Sequence, residues 1–360
     1  LLEEARDGFV DMTRAVRSPG STLKPLIYGL AFEAGIAHPE SLIEDRPTGF
    51  SGYVPANFTR EFQGTVTVRR ALQLSLNVPA VKLLHGVGTA RLIARMRRAG
   101  AQPSLSDVSP PGLAIGLGGV GIRLEDLVGI YAAIARGGRR VELRERADAA
   151  RGRNPGRRVL DERAAWYVAS ILSGARDPMG VSPGGLAFKT GTSYGYRDAW
   201  AIGFDGRYVA GVWAGRPDGA PVPGLTGIRS AVPILIDLFA LVGGRVPLPG
   251  PPPGVLSSTS ADLPPPLRNV GGESGAGPEI AFPPQGARLA FQQGDTGVLV
   301  LKVRAGSPPF TWFADGKPVA REPFSRTAVW RPQGPGFSTI SVVDGRGRAS
   351  RVRVVLESTN

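Results

Sequence analysis

Three short motifs combine the residue types that support acyl transfer through a serine nucleophile. In chain order they have the forms S-x-x-K at residues 21–24, S-x-N at 75–77 and K-T-G-T at 189–192. Residues i and i+3 of a helix share a face, so the amine of Lys24 can reach the hydroxyl of Ser21. A lysine that is desolvated or lies beside other cations has a lowered pKa and can take a proton from a serine. The spacing therefore predicts Ser21 as a nucleophile and Lys24 as its base.

The other motif residues are suited to binding the rest of a substrate. Lys189 offers a positive charge for a carboxylate, and Gly191 lets a substrate backbone lie against the strand edge. A serine at the N-terminus of a helix also has backbone N–H groups that point at a developing oxyanion. Taken singly, Ser21 could be a helix cap and Lys24 a solvated side chain. However, two of the five lysines of the chain fall in these motifs. The occurrence of all three motifs in this order is poorly explained by chance.

Two further motif matches are better explained without chemistry. Residues 191–195 fit the G-x-S-x-G nucleophile elbow, which requires a histidine later in the chain than its serine. The only histidines, His38 and His85, both precede it, and both are predicted to be structural. Residues 116–121 fit G-x-G-x-x-G, but Pro110-Pro111-Gly112 leaves little room for the preceding strand that a dinucleotide site needs. This segment is predicted to be a glycine-rich turn into a helix.

The elements that must position the motifs change character along the chain. Apolar residues at helical spacing predict helices over 21–35, 66–85, 124–136, 162–172 and 226–241. Extended apolar segments predict strands over 187–190, 199–204 and 208–214, the last two joined as a hairpin at Asp205-Gly206. The K-T-G-T motif thus lies on a strand, whereas both serine motifs lie on helices.

Composition divides the chain into three segments. Residues 1–242 hold all three motifs and are predicted to form one domain of helices and strands. Residues 243–278 are rich in Pro, Gly and Ser, which predicts a semi-rigid linker. Residues 279–360 contain short alternating segments and a hairpin signal at Asp344-Gly345, typical of a small all-β sandwich domain.

Charge and rare residues exclude several classes of function. The formal net charge is +13, which suits nucleic acid, an anionic membrane surface or an acidic cell-wall polymer, and equally an Arg-rich solvated surface. No nucleic-acid-binding motif is present, so we expect no nucleic-acid partner. Cysteine is absent, which excludes thiol nucleophiles and cysteine-ligated metals. The sequence predicts neither a metal nor a cofactor, and it contains no apolar run long enough to span a membrane.

Longer segments around the motifs resemble one family. Residues 17–25 (RSPGSTLKP) are similar almost word for word to the active-serine segment of the penicillin-binding proteins, in particular of the bifunctional 1C type. YVPAN at 53–57, ALQLSLNVPA at 71–80 and GRPDG at 215–219 also match. The tail resembles the C-terminal β-domain of that family through IAFPP at 280–284 and WRP at 330–332. The resemblance covers nearly the whole chain.

The resemblance implies an α+β fold and a specific reaction. The fold is that of the serine β-lactamases and penicillin-binding transpeptidases, an antiparallel sheet flanked by helices, followed here by the small all-β sandwich. The reaction is D,D-transpeptidation, which cross-links peptidoglycan stem peptides. The implied partners are these stem peptides, β-lactam antibiotics, and a cell-wall or periplasmic protein partner for the β-domain. The implied location is the periplasmic side of the bacterial inner membrane.

Roles for single residues follow from the same resemblance. Ser21 would attack the carbonyl of D-Ala-D-Ala, Ser75 would relay a proton to the leaving amine, and Asn77 would hold the substrate amide. The terminal carboxylate would be bound by Lys189, Thr190 and Thr192. The backbone N–H groups of Ser21 and Thr192 would form the oxyanion hole, and β-lactams would acylate Ser21 because they mimic the dipeptide.

The chain also departs from the family, and other activities use the same nucleophile. The glycosyltransferase domain and membrane anchor of the family do not occur in this sequence, and only about twenty residues precede Ser21. We therefore expect the strands that normally begin the transpeptidase sheet to be missing. A serine β-lactamase, a D,D-carboxypeptidase and a catalytically inactive wall-binding module remain as alternatives. The first of these lacks support because the chain has no E-x-x-L-N segment to direct a deacylating water.

Overall fold

The chain folds into two compact units in a computed structural model. The structure describes residues 10–50, 53–59, 61–105, 112–143, 156–174, 185–243, 245–270, 277–292, 297–322, 325–345 and 349–359. The first unit is Leu1–Val270 and the second is Gly271–Asn360. None of the helices in these ranges is both long and apolar enough to cross a lipid bilayer.

The first unit contains helices and two small sheets. Its helices are α1 (Lys24–Glu33), α2 (Val68–Gln73), α3 (Asn77–Val87), α4 (Thr89–Ala99), α5 (Leu124–Ala135), α6 (Glu162–Ser173), α7 (Val232–Leu241) and α8 (Pro265–Arg268). Its strands are β1 (Leu42–Asp45), β2 (Gly64–Thr67), β3 (Ala187–Thr192), β4 (Asp198–Phe204), β5 (Val209–Gly215) and β6 (Asn269–Val270). One sheet has the order β3-β4-β5 and is antiparallel throughout, and the other has the order β2-β1-β6.

Helix α1 lies at the centre of the first unit. Every residue from Lys24 to Phe32 is buried, and the apolar ones pack with α3, α5 and α6 in one large core. Each fully buried Leu or Ile side chain of such a core stabilises the fold by about 1.5–3 kcal/mol. This burial holds α1 in place, and it also takes the amine of Lys24 out of water.

Helices cover both faces of the β3-β4-β5 sheet. Along β4, Trp200 and Ile202 pack into the core around α1, whereas Ala201 packs with Leu235 of α7 on the opposite face. Successive side chains of a strand alternate between faces, so a strand that is buried along its whole length must be covered on both sides. The predicted α+β fold, an antiparallel sheet flanked by helices, is confirmed.

Most of the predicted elements are present, but one predicted helix is wrong. The helices over 124–136 and 162–172 correspond to α5 and α6, and the hairpin at Asp205-Gly206 joins β4 to β5. The stretch 66–85 is not one helix, because α2 ends at Gln73 and α3 begins at Asn77. The intervening Ser75 has a φ of +56°, a left-handed conformation that no residue inside an α-helix adopts.

The proline-rich segment that follows α7 packs against the first unit. Its Leu256 accepts hydrogen bonds through its carbonyl from the Tyr167 hydroxyl (3.0 Å) and contacts Nε2 of His38 (2.9 Å). Leu263 is fully buried, and β6 pairs in parallel with β1. Composition predicts a linker over 243–278. The structure instead places residues 245–270 in the first unit, because their backbone groups find partners there.

The second unit is a two-layer β structure. Its strands are β7 (Glu279–Phe282), β8 (Arg288–Gln292), β9 (Leu299–Arg304), β10 (Phe310–Ala314), β11 (Lys317–Glu322), β12 (Thr327–Trp330), β13 (Gly336–Val343) and β14 (Ala349–Thr359). They form one sheet of order β11-β10-β13-β14-β8 and another of order β12-β9-β7. Side chains from both sheets, including Trp312 and Trp330, share one core. This is the predicted all-β sandwich.

Candidate active site

Ser21 lies on a tight turn that leads directly into α1. Residues Gly20–Leu23 form a 3₁₀ turn, and α1 begins at Lys24. Two backbone carbonyls of this segment accept hydrogen bonds from buried aromatic side chains. Trp200 donates to the Ser18 carbonyl (2.8 Å), and the Tyr131 hydroxyl donates to the Thr22 carbonyl (2.8 Å). The half-buried Ser21 is therefore held on a turn that is fixed from both sides.

Two glycines allow this turn to lie against strand β3. A Cβ built on Gly20, whose φ is +52°, would lie 2.5 Å from the carbonyl oxygen and 2.9 Å from the nitrogen of Thr192. A Cβ on Gly191 would lie 2.5 Å from the Pro19 carbonyl oxygen. The missing side chain of Gly191 thus makes room for the turn that carries Ser21. The sequence-based reason for this glycine, room for a substrate backbone, stays a prediction beside this internal contact.

The glycine-rich segment 113–121 supports the same turn from another side. The Ser18 hydroxyl donates to the Gly118 carbonyl (2.8 Å). A Cβ on Gly118, whose φ is +105°, would lie 2.8 Å from the Gly20 nitrogen. The segment 113–117 is a 3₁₀ turn, which agrees with a glycine-rich turn and not with a dinucleotide-binding loop.

Ser75 occupies a helix end that normally favours glycine. The backbone N–H of Ser75 donates to the Leu72 carbonyl, and that of Leu76 donates to the Ala71 carbonyl. These two bonds define a Schellman motif, whose left-handed position costs a non-glycine residue about 1–2 kcal/mol. Strain of this kind persists where the surrounding structure fixes it, and such sites are often functional. Here it turns the chain so that Ser75 and Asn77 both face α1.

The amine of Lys24 contacts both residues of the S-x-N motif. Its Nζ lies 2.5 Å from the Ser75 carbonyl oxygen, 3.3 Å from the Ser75 hydroxyl oxygen and 2.7 Å from Oδ1 of Asn77. Among the described residues, its hydrogen bonds go to these atoms and not to the hydroxyl of Ser21. A neutral amine has two hydrogens for the two shortest contacts, and its lone pair then remains available to accept a proton.

Lys189 of β3 also contacts the hydroxyl of Ser75. Its Nζ lies 2.8 Å from the Ser75 hydroxyl oxygen and 2.9 Å from the Thr190 carbonyl oxygen. The structure therefore brings together Lys24, Ser75, Asn77 and Lys189 by direct contacts, with Ser21 one turn before Lys24. The Ser75 hydroxyl lies between two lysine amines.

Burial changes the protonation of both lysines. It lowers the pKa of Lys24 well below its ordinary value, with a further lowering from the charge of Lys189 and an opposing effect of Asp45. It lowers the pKa of Lys189 to about 7. Both effects arise because the charged form of a lysine loses its hydration when the side chain leaves water. A lysine can therefore act as a base here near neutral pH.

The two threonines of K-T-G-T are half-buried residues of β3. The Thr192 hydroxyl oxygen accepts a hydrogen bond from the backbone N–H of Gly227 (3.1 Å). Its backbone lies against Gly20, which brings the main chain of Thr192 next to the turn that carries Ser21. The Thr190 carbonyl accepts from Lys189, as described above.

Two buried residues beside the site are not predicted from the sequence. The backbone N–H of Asn77 donates to Oδ1 of Asn57 (2.8 Å), and Nδ2 of Asn57 donates to the carboxylate of the buried Asp45 (2.9 and 3.0 Å). Asn57 falls within the YVPAN segment, so resemblance could have marked it. Nothing in the local sequence links it to Asp45, which lies on a different element.

Exposed aromatic side chains follow two of the site segments. Phe58 comes directly after Asn57, and Tyr196 follows the K-T-G-T strand; their rings meet edge to face with centroids 6.1 Å apart. Tyr194, between that strand and Tyr196, is fully exposed. These side chains are also not predicted from the sequence, because exposed aromatics have no periodic pattern.

Comparison with known proteins identifies the class to which this fold and site belong. A family model described as the penicillin binding protein transpeptidase domain matches residues 9–215, and one described as the Penicillin-Binding Protein C-terminus Family matches residues 268–354. The chain belongs to the penicillin-binding protein transpeptidase family. The resemblance stated from sequence is thereby confirmed.

Individual relatives agree with this assignment. Penicillin-binding protein 1C of Escherichia coli (strain K12) is 44% identical over 241 residues, which cover 65% of this chain and 31% of that protein. Penicillin-binding protein 2D of Bacillus subtilis (strain 168) is 31% identical over 274 residues, covering 68% of this chain and 38% of that protein. The chain thus spans about a third of the length of these relatives.

A solved structure shares the fold. The PonA1 protein of Mycobacterium tuberculosis, solved in complex with penicillin V, aligns with a TM-score of 0.57 at 21% identity, over 69% of this chain and 76% of that one. At this identity the similarity supports the fold alone.

Proposed function

We propose that this chain is the D,D-transpeptidase part of a peptidoglycan synthase, and that it works through an acyl-enzyme on Ser21. The observation that carries the proposal is the Ser75 hydroxyl between the amines of Lys24 (3.3 Å) and Lys189 (2.8 Å), beside the turn of Ser21. Membership of the penicillin-binding transpeptidase family supplies the reaction class.

Acylation begins with the neutral amine of Lys24. It takes the proton of the Ser21 hydroxyl as Oγ attacks the carbonyl carbon between the two D-alanines of a stem peptide. The oxygen of that carbonyl gains negative charge, which the backbone N–H groups of Ser21 and Thr192 stabilise. Donors fixed in advance for a developing oxyanion are worth about 3–4 kcal/mol each.

The leaving group then needs a proton. The Lys24 ammonium passes its proton through the Ser75 hydroxyl to the nitrogen of the terminal D-alanine, the carbon–nitrogen bond breaks, and an ester remains on Ser21. An amine of a neighbouring stem peptide attacks this ester and loses its proton through the same groups. The new amide bond is the cross-link, and Ser21 and Lys24 return to their starting states.

The other motif residues bind the donor strand. The Lys189 ammonium, with the Thr190 and Thr192 side chains, pairs with the terminal carboxylate, and Asn77 holds the substrate amide. Gly191 keeps β3 close to the Ser21 turn. Charge-assisted hydrogen bonds to a carboxylate are the strong ones, so Lys189 contributes most to carboxylate affinity while it is protonated.

The same proposal gives partners and a location. The substrates are peptidoglycan stem peptides, and β-lactams acylate Ser21 because they mimic the terminal dipeptide. Acting on peptidoglycan places the chain on the periplasmic side of the inner membrane. The second unit binds a cell-wall or periplasmic protein partner.

The test is a product analysis with a stem-pentapeptide mimic, with and without an acceptor amine. The proposal predicts release of one D-alanine and an amide product that contains the acceptor. Release of D-alanine with hydrolysis alone, at every acceptor concentration, would indicate a carboxypeptidase. A folded protein that releases no D-alanine would indicate an inactive wall-binding module.

A further inference from the structure

Asn77 is held by a side chain outside the three motifs. It is the first residue of α3, so its backbone N–H has no partner within the helix. That N–H donates to Oδ1 of Asn57 (2.8 Å), and Nδ2 of Asn77 donates to the Ala56 carbonyl (2.6 Å). With Nδ2 held there, Oδ1 of Asn77 faces the amine of Lys24 (2.7 Å). The loop that contains Asn57 therefore orients the amide that Lys24 contacts.

Asp45 fixes the orientation of Asn57. Its carboxylate accepts from Nδ2 of Asn57 and from the backbone N–H of Gln63 (2.8 Å). The second hydrogen of that Nδ2 is taken by the Glu61 carbonyl (2.8 Å). Because an ionised carboxylate only accepts hydrogen bonds, Asn57 must turn its NH₂ group to Asp45 and its oxygen to Asn77. No other arrangement of the Asn57 amide satisfies both neighbours.

The charge of Asp45 also acts on the amine of Lys24. Asp45, at the end of β1, and Lys24, on α1, are fully buried, and Lys189, on β3, is 5% exposed. The charged and titratable groups around Asp45 are Lys24 and Tyr28 on α1 and Lys82 on α3, and those that act on Lys24 are Lys189 and Asp45. The carboxylate of Asp45 thus acts on cationic side chains from two elements, α1 and α3.

We propose that Asp45 and Asn57 are positioning residues of the transpeptidase site. Asp45 orients the Asn57 carboxamide, Asn57 holds the start of α3, and Asn77 is thereby presented to Lys24. Asp45 also favours the protonated form of Lys24. This inference rests on the proposed function, since it assigns Lys24 as the base.

The two roles predict different responses of the acylation rate to pH. Removing the charge of Asp45 lowers the pKa of Lys24 further, so the base becomes neutral at lower pH. In Asp45→Asn the acidic limb of the pH profile should therefore move down by about one pH unit, the low end for loss of a nearby opposite charge. In Asn57→Ser the charge stays but Asn77 loses its acceptor. We expect an acylation rate about 10- to 100-fold lower at every pH, with the acidic limb unmoved.

The experiment measures the second-order rate of labelling by a fluorescent penicillin from pH 5 to 9. The matched control is Glu44→Gln, which removes the neighbouring carboxylate of the same strand. The Glu44 side chain pairs with Arg46 and Thr65 and acts on Lys82. Within the described part of the chain it makes no hydrogen bond to Lys24, Asn57 or Asn77, so its profile should match the native one. Thermal unfolding of each variant shows whether it is folded.

The outcomes separate this inference from the proposed function. A native rate in Asn57→Ser together with an unshifted limb in Asp45→Asn would overturn the positioning role, while labelling of the native protein would still support Ser21 as nucleophile. If Asp45→Asn does not fold, the Asn57→Ser rate decides alone. If the native protein is not labelled, the proposed function itself fails.

Discussion

The amine of Lys189 lies 2.8 Å from the hydroxyl oxygen of Ser75 although the two residues are 114 positions apart in the chain. Lys189 comes from the sheet and Ser75 from the break between α2 and α3. The contact therefore joins the β3-β4-β5 sheet to the segment between α2 and α3 at the site. It also places the buried amine of Lys189 next to a hydroxyl that lies 3.3 Å from the amine of Lys24.

The pKa of Lys189 predicts how penicillin acylation depends on pH. Burial lowers the pKa of this amine to about 7, and only its charged form attracts the carboxylate of a penicillin. The second-order acylation rate should therefore fall as pH rises above about 7, which is the basic limb of the profile. Stopped-flow labelling between pH 6 and 10 measures it.

Lys189→Arg is the matched variant for this prediction. An arginine stays charged throughout the range, so its profile should be lower overall but lack the basic limb. An identical basic limb in both proteins would show that another group causes it.

The same pKa predicts a cost in stability. The unfolded chain binds a proton at Lys189 up to about pH 10.5, whereas the folded protein releases it near pH 7. The unfolded state binds more protons between these values, so this residue makes the free energy of unfolding rise with pH across that window. Lys189→Met should be more stable than the native protein at pH 7 by a few kcal/mol, because one pKa unit corresponds to about 1.4 kcal/mol.

Urea unfolding at pH 7 and pH 9.5 measures the stability advantage of Lys189→Met and its change with pH. The advantage of Lys189→Met should shrink at the higher pH. A methionine variant that is less stable than the native protein at pH 7, or an advantage that does not change with pH, would contradict the account.

The left-handed conformation of Ser75 predicts a difference between two substitutions. Ser75→Gly and Ser75→Ala both remove the hydroxyl between the lysines, so both should lose acylation to a similar extent. Glycine adopts a φ of +56° without strain, whereas alanine does not. The free energy of unfolding of Ser75→Gly should therefore be about 1 kcal/mol higher than that of Ser75→Ala. Equal stability of the two variants would contradict backbone strain at position 75.

The contact between Gly191 and the Ser21 turn predicts damage from one added methyl group. A Cβ there would lie 2.5 Å from the Pro19 carbonyl oxygen, so Gly191→Ala should separate β3 from the turn. We expect a loss of about 2 kcal/mol in stability, as for other overpacked sites, together with slower acylation.

Gly129→Ala is the control for the effect of the substitution itself. Gly129 lies within α5, and a Cβ there meets no described atom within 4 Å apart from the neighbouring backbone of its own helix. This variant should be more stable than the native protein by up to about 1 kcal/mol, because alanine favours the helix. A Gly191→Ala protein that matches it in stability and acylation rate would contradict the proposed close approach.

The sequence predicts the motif residues of the site but not their support. Ser21 and Lys24 are adjacent on one turn, so local spacing is enough to pair them. The break at Ser75 is invisible to helical periodicity, because Ala71, Leu72 and Val78 keep the apolar pattern across it. Asp45 and Asn57 belong to different elements, and only the tertiary fold brings them to Asn77.

The proline-rich segment shows a similar limit for the fold. Its composition gives no apolar periodicity, yet Leu256 is held by the side chains of His38 and Tyr167. Such polar contacts to single backbone groups leave no pattern in a sequence.

Mass spectrometry of the protein after exposure to a penicillin shows directly whether Ser21 is the nucleophile. An acyl-enzyme on Ser21 should give a mass increase of one penicillin on the peptide that contains Ser21. The increase should be stable over many minutes and absent in Ser21→Ala. A well-folded native protein without this adduct, or one that hydrolyses the penicillin rapidly and returns to its original mass, would contradict a stable acyl-enzyme on Ser21.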